Sequence, residues 1–568
     1  MNLFHRVGKE DSAVGVRLWR SFASPDSRWR CSADDFARIA LIVLLACNLW
    51  GQKASAKFRV SGRVVNAVNG HPLAGAEVWL GNADQFETTQ QKLLTGDDGA
   101  FAFTVADPGK YTISGQANGF RRQGFEQHGM YSSAIVVNAE LNTGNIVFRL
   151  RPDARLTGTI EDDDHEPIGG ATIYLFRTDT SLGLTETSLQ GQTSSDDRGR
   201  YRFAHLEPGV YYLAASASPW FSELLQQADV AGASVPSQKP EFDIAYPTTF
   251  YPGVTDVTAA SQIALNEGED STADFTLSPV PALRVKVDYA NAGGQRPTNV
   301  QLQQRVFNTE INAVGLRQSS ADDSFEIRGA APGRYALQLI SVGPSNIQSE
   351  RSTLINLTED ADVDPESASV VTPIHGVVRM PGGLKPKQQG YVRLWNSRAG
   401  EVLESTISDK GEINFATDFL TAGTYSVYAM NGLNSIVSSL KATGAQVAGQ
   451  TVQITGGKPV ELEIQMASTR SKVTGVVRRH EKPVVGAMIL LVPEDAEISL
   501  PKFRRDQSDS DGTFTLQDVL PGRYSVMAIE DGWDLEWANL TLLKKRLEHA
   551  KRIEIGASKS YETVLDLE

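Results

Sequence analysis

Apolar and polar residues alternate with period two through most of this chain, in short runs punctuated by glycine and proline. The clearest pairs are Phe101/Phe103, Tyr201/Phe203, Phe325/Ile327, Ile413/Phe415 and Phe514/Leu516, with Ala102, Arg202, Glu326, Asn414 and Thr515 between them. Further on, the alternation resumes at Ile113, Leu213, Leu337, Val427 and Val526. Alternation over such lengths predicts half-buried antiparallel strands. One stretch departs from it. Residues 535–551 place Leu540, Leu543 and Leu547 on one stripe at helical spacing, which predicts a short C-terminal helix.

The strands recur in a fixed frame. Pro-Gly-x-Tyr occurs at Pro108–Tyr111, Pro208–Tyr211, Pro332–Tyr335 and Pro521–Tyr524, and a weaker copy is Ala422-Gly423-Thr424-Tyr425. Composition alone predicts roughly 0.06 copies of that tetrapeptide, so the repeat is real. Asp97-Asp98-Gly99, Asp197-Arg198-Gly199 and Asp511-Gly512 each place a glycine nine residues before the proline. Such turns supply a side-chain acceptor and a residue tolerant of positive φ, as a tight hairpin needs. Pro-Gly suits the centre of a type II turn. The tyrosine then re-enters the core with a hydroxyl able to reach the backbone. Opening strands hold a glycine at Gly62, Gly158 and Gly475, and a Pro-x-x-Gly-Ala element follows at Pro72–Ala76, Pro167–Ala171 and Pro483–Ala487. Repeats three and four lack that element and keep only the strands.

Seven or so strands in about a hundred residues make a two-sheet sandwich. The fold class is therefore all-β, a tandem array of about five antiparallel β-sandwich domains, spanning 57–152, 153–280 (with an irregular insertion at 218–256), 281–371, 372–468 and 469–568. Short joints such as Arg151-Pro152-Asp153 and Pro279-Val280-Pro281 predict a semi-rigid array that displays surfaces at a distance. The combination of Val-x-Gly-x-Val, Pro-x-x-Gly-Ala, Asp-x-Gly-x-Phe-x-Phe and Leu-x-Pro-Gly-x-Tyr resembles the carboxypeptidase regulatory-like domain, a transthyretin-like sandwich. The resemblance covers nearly all of 57–568 and is strongest in repeats one, two and five. It implies a secreted bacterial multi-repeat protein, and it makes carbohydrate one implied ligand class.

Residues 1–56 read as a leader. Ile39–Leu45 is uninterruptedly apolar, Arg38 precedes it and Ala54-Ser55-Ala56 offers a small-residue cleavage site. The apolar core is too short for a membrane span and suits a signal peptide. Leu44-Leu45-Ala46-Cys47 also resembles a lipobox, which would leave a lipid on Cys47. Either route implies export to the periplasm, outer membrane or extracellular space, with membrane attachment only through an N-terminal lipid or an uncleaved anchor. Both cysteines, Cys31 and Cys47, precede Ala56, so stability must come from packing rather than disulfides. The formal charge of −14 over 568 residues argues against a nucleic-acid partner, which would need a basic surface.

Catalytic chemistry is hard to place on this chain. A peptidase zinc site commonly uses His-x-x-Glu with a distant histidine. None of the eight histidines (5, 71, 128, 165, 205, 375, 480 and 549) has a carboxylate three residues on. Asp509-Ser510-Asp511-Gly512 resembles the start of a calcium loop, but the position needing a bidentate glutamate falls on Leu520, and a hairpin turn is the simpler reading. No metal, cofactor or catalytic residue is assigned. Sugar binding would need exposed aromatic faces. Trp79 and Trp395 fall in second strands, at core or half-buried positions. The candidates for ligand contact are Trp220, Tyr246 and Tyr251 around the insertion, and Trp533 and Trp537 ahead of the helix, each weighed against simple packing. The resulting expectation is a non-catalytic exported binding or spacer protein of the cell envelope, with a polysaccharide or an envelope protein as partner. The alternative is a set of accessory domains in a peptidase-related or outer-membrane transporter system.

Overall fold

The computed structural model describes residues 58–567 apart from 84–89, 182, 221–242, 289–296, 308, 321–323, 343–347, 365–368, 371–373, 381–389, 397–400, 416–422, 431–436, 456–458, 467–470, 495–501 and 557–558. The expected leader, with Cys31 and Cys47, and the middle of the 218–256 insertion lie outside the described residues.

The first repeat sets the plan. Its strands are β1 (Phe58–Asn66), β2 (Glu77–Asn82), β3 (Gln90–Leu94), β4 (Ala100–Val105), β5 (Gly109–Ala117), β6 (Phe120–Gly124), β7 (Ile135–Val137) and β8 (Ile146–Leu150). One sheet runs β4-β1-β8 and the other β3-β2-β5-β6, with β7 also beside β5. Between them Val60, Val78, Leu80, Phe101, Phe103, Tyr111, Ile113 and Phe148 are buried in a single cluster. Four further clusters draw on residues 154–277, 285–357, 374–466 and 473–565. Each lies between two sheets with the same central pairings.

The sheets are not purely antiparallel, as the alternation alone had suggested. The opening and closing strands of every repeat pair in parallel: β1 with β8, Ala154–Asp162 with Asp270–Thr272 and Phe275–Leu277, Leu283–Asp288 with Ala361–Val363, Ile374–Arg379 with Val460–Met466, and Lys472–Arg479 with Ser560–Asp566. This pairing accounts for the glycine in the opening strand. A Cβ on Gly62, Gly158 or Gly475 would stand 1.9, 2.0 or 2.2 Å from the carbonyl oxygen of Ile146, Ala273 or Thr563 on the closing strand. Only glycine admits so close a backbone. Gly376 occupies the same place in the fourth repeat, 2.5 Å from where Leu462 O would meet its Cβ.

The conserved letters of each repeat perform local work. In four repeats the tyrosine hydroxyl donates to the carbonyl four residues upstream: Tyr111 to Asp107 (2.9 Å), Tyr211 to Glu207 (2.7 Å), Tyr335 to Ala331 (2.9 Å) and Tyr524 to Leu520 (2.8 Å). The Asp-x-Gly turns close as expected, with Gly99 and Gly199 at φ 71° and 70° and their N–H groups on Gly96 O and Asp196 O. The Pro-Gly pair is not a type II turn. Gly109, Gly209 and Gly522 instead open a strand at φ 156°, 157° and 158°, far from the value near +80° that such a turn requires.

A further element went unread in the sequence. Thr95 Oγ1 donates to Leu73 O at 2.6 Å and accepts the Ala76 N–H at 2.9 Å. Ser195 does the same with Ile168 O (2.7 Å) and the Ala171 N–H (2.9 Å), and Ser508 Oγ accepts the Ala487 N–H at 2.9 Å. These buried hydroxyls pin the Gly-Ala turn of repeats one, two and five. The C-terminal helix, α1, runs from Leu540 to His549, starting later than the periodicity suggests. Asn539 caps it by accepting from Thr541 and Leu542, and Gly532–Asp534 forms a separate 3-10 turn.

Neighbouring repeats are joined tightly. At the first joint Gln123 exchanges hydrogen bonds with Arg151 (2.7 and 3.0 Å), while Asp153 accepts from the Arg121 backbone and faces His205 at 2.7 Å. At the second, Phe307 of repeat three packs against Phe176, Tyr212 and Phe250 of repeat two. The buried Arg317 pairs with Asp243.

Candidate functional site

The repeats do not contact only their neighbours along the chain. Phe58–Glu568 clusters as one unit, and the fifth repeat docks on the first and the second. This corrects the expectation of an array holding its surfaces at a distance. The contact is built from the turn 508–511, which the sequence marked as a hairpin. Ser510 N donates to Ala134 O (3.0 Å), Ser510 Oγ accepts from Val136 N (2.8 Å) and Ser133 Oγ donates to Ser508 O (2.7 Å). Asp509 Oδ1 accepts from Ala134 N at 2.7 Å, and Lys110 Nζ donates to its Oδ2 at 2.5 Å. The turn thereby extends the β7 edge of the first repeat. Gln507 Nε2 donates to Ser133 Oγ (2.8 Å) and to Glu126 O (2.5 Å). Ser133, Gln507, Ser508 and Asp509 are buried, and buried polar groups hold a unique docking geometry only when they are paired, as these are.

Trp533 and Trp537 belong to this junction. The Trp533 indole stacks on His128 of repeat one, with centres 4.9 Å apart and planes 5° from parallel, and its Nε1–H donates to Gly486 O at 3.1 Å. Trp537 packs on Phe503, and the Arg505 guanidinium lies 4.4 Å from its ring centre. Arg505 also faces Tyr131 of repeat one at 5.2 Å and donates to Ser181 O of repeat two at 2.9 Å. Glu536 accepts from the Thr185 N–H (3.2 Å) and hydroxyl (2.5 Å), and Ala538 N donates to Gly183 O at 2.9 Å. Burial lowers the pKa of His128 and of Arg505, and pushes the Asp506 carboxyl up to about 6.

The remaining candidates lie in repeat two. Tyr246 and Tyr251 are partly buried against its core, Tyr251 with its ring 5.9 Å from Phe275. Trp220 is 83% exposed. The same insertion borders an open depression of about 380 Å³ lined by Thr249, Val254, Thr255, Asp256 and Ser278. Asp256 accepts from the Thr258 N–H and hydroxyl at 2.9 and 2.8 Å, bonds that hold its pKa below the usual carboxylate range. The five candidates thus fall into separate places rather than one cleft, with Trp533 and Trp537 at the junction. Trp79 and Trp395 are half-buried and point away from the cores, between the inward Val78 and Leu80 and the inward Leu394 and Asn396. Among the described residues no three His, Cys, Asp or Glu side chains are placed to share a metal ion. No described helix is long and apolar enough to cross a membrane.

The junction could not be read from the sequence. Its ligating residues are ordinary turn letters, and the only signal is that Asp509-Ser510 precedes a turn glycine as in other repeats.

Among solved structures similar to this chain are the Bacillus anthracis TIE protein (9% identity, covering 94% of this chain and 78% of that one, TM-score 0.16) and a streptococcal ancillary pilin (11%, 54% and 98%, TM-score 0.19). A third is BcpA, the major pilin subunit of Bacillus cereus (10%, 73% and 99%, TM-score 0.14). No curated protein matches the chain. The model of one family, the carboxypeptidase regulatory-like domain, matches residues 59–145 and 155–234, which are the first two repeats described above.

Proposed function

We propose that this chain is an exported, non-catalytic protein of the cell envelope that binds carbohydrate through faces held in fixed relation by its docked repeats. The observation that carries the reading is the junction of repeats one, two and five. Ser133, Gln507, Asp509 and Trp533 are committed to locking domains together rather than to a reacting group. A loose spacer gains nothing from such contacts, whereas a platform that must present several surfaces together depends on them. The family's regulatory, accessory character supports a binding role, as does the lack of any His-x-x-Glu spacing in the sequence. Trp220, with Tyr246 and Tyr251 in the same insertion, is the proposed contact surface on repeat two.

The test is fractionation of the native host, followed by passage of the full chain over neutral and acidic polysaccharides and incubation with a broad peptide panel. Recovery in the envelope, retention on a polysaccharide and no hydrolysis are expected. Peptide hydrolysis, or failure to bind any glycan, would overturn the reading.

A further inference from the structure

The outer face of the second sheet is apolar and covered in repeats two and five, and polar in repeat one. In repeat two the outward Tyr174 and Phe176 are covered by Val306, Phe307 and Ile311 of repeat three. In repeat five Met488, Leu490 and Val492 are covered by α1, chiefly through Leu543, together with Trp533 and Trp537. Both faces are apolar and already occupied. Repeat one instead turns Glu77, Trp79 and Gly81 outward from β2.

Register assembles a polar row around that tryptophan. Trp79 pairs with Lys92 on β3 and with Ser114 on β5, so the three side chains share a face. Ser114 pairs with Gly124 on β6, and Arg122, two residues away, emerges on the same side. The Arg122 guanidinium carbon lies 4.4 Å and Lys92 Nζ 5.3 Å from the indole centre. Arg122 Nε and Nη2 donate to Ser114 Oγ at 3.2 and 3.0 Å. Lys92 meets Glu77 at 2.9 Å, with both side chains substantially exposed.

The charge balance points to the ligand. Arg121 is committed to Asp153 and Glu207, at 3.5 and 3.1 Å. Arg122 has no carboxylate within ion-pair distance among the described residues. Arg122 is thus held over an aromatic face with no described carboxylate beside it, on a chain of net charge −14. The hold is weak enough to exchange, since an exposed cation–π contact is worth less than a charge-assisted hydrogen bond.

We propose that the β3-β2-β5-β6 face of repeat one binds an anionic polysaccharide. Arg122 takes the acidic groups, the indole of Trp79 takes the apolar face of a sugar ring, and Thr112, Ser114 and Gln116 serve the hydroxyls. This deepens the carbohydrate reading and rests on it.

Affinity electrophoresis of the full chain in gels containing polygalacturonate, dextran sulfate or neutral dextran tests the assignment. Retardation by an acidic polymer is expected, falling by about fivefold or more in Trp79→Ala and in Arg122→Gln, with melting temperatures unchanged. Retardation by polygalacturonate marks carboxylate as the recognised group, and Trp79-dependent retardation by dextran sulfate alone marks sulfate. If both variants run as the parent does, this face is not the site, and carbohydrate binding elsewhere on the chain still stands. If the parent is retarded by none of the polymers and by no other glycan, the carbohydrate reading fails together with the site.

Discussion

Asp509 in the fifth repeat and Lys110 in the first, 399 residues apart in sequence, meet at 2.5 Å, while the other carboxylate oxygen of Asp509 takes the backbone N–H of Ala134. One side chain thereby joins the two ends of the folded region. Asp509→Ala leaves that N–H and the Lys110 ammonium without their acceptor, which should weaken docking by about 1–3 kcal/mol. Differential scanning calorimetry should then resolve a separate transition for the fifth repeat, and small-angle scattering should report a larger radius of gyration. Lys110→Ala, at a side chain 38% exposed, should do less.

Acidity acts on the same region. Burial raises the Asp506 carboxyl to about 6 although it accepts the Thr515 N–H at 2.6 Å. A carboxyl whose folded pKa is raised favours the native state when protonated, so its stabilising effect is complete below the unfolded value and fades as pH rises through 6. His128 works the other way, since burial lowers its pKa and acid therefore opposes its stacked position. Asp506→Asn should raise the melting temperature at pH 7 and flatten its change between pH 7 and pH 5. An unchanged pH profile in that variant would show that Asp506 does not titrate in this range.

The tyrosine hydroxyls should have measurable, local value. Tyr211→Phe keeps the buried ring but loses the bond to Glu207 O, and Tyr524→Phe loses the bond to Leu520 O. Each should cost about 1 kcal/mol in urea unfolding.

Gly158→Ala should be far more damaging. Its methyl would stand 2.0 Å from Ala273 O and 2.7 Å from the Tyr201 ring, where neither backbone nor core can yield cheaply. A loss of about 3 kcal/mol or more, or failure of the second repeat to fold, is expected by denaturant titration.

The sandwich core was legible because its signals are short-range. Phe101/Phe103 and their counterparts declare a strand by period, and Asp-x-Gly and Pro-Gly-x-Tyr declare how each strand begins and ends. The parallel closure was present only as an unexplained glycine, since Gly62 acquires its meaning from Ile146, more than eighty residues later. Thr95, Ser195 and Ser508 stand four residues before their turn glycines, a regularity hidden by how common those residues are. The placement of Trp533 was illegible for a different reason. Its apolar ring suited either a sugar or a protein face, and only the position of His128 decides between them.

Because every opening strand waits for a partner that lies at the far end of its own repeat, no sandwich can close until about a hundred residues have been delivered. The chain must therefore mature in instalments, with the docking turn at 508–511 arriving long after the edge at Ala134–Val136 has formed. Until then the backbone groups of that edge lack the partners that Asp509 and Ser510 bring, and the fifth repeat is what covers them.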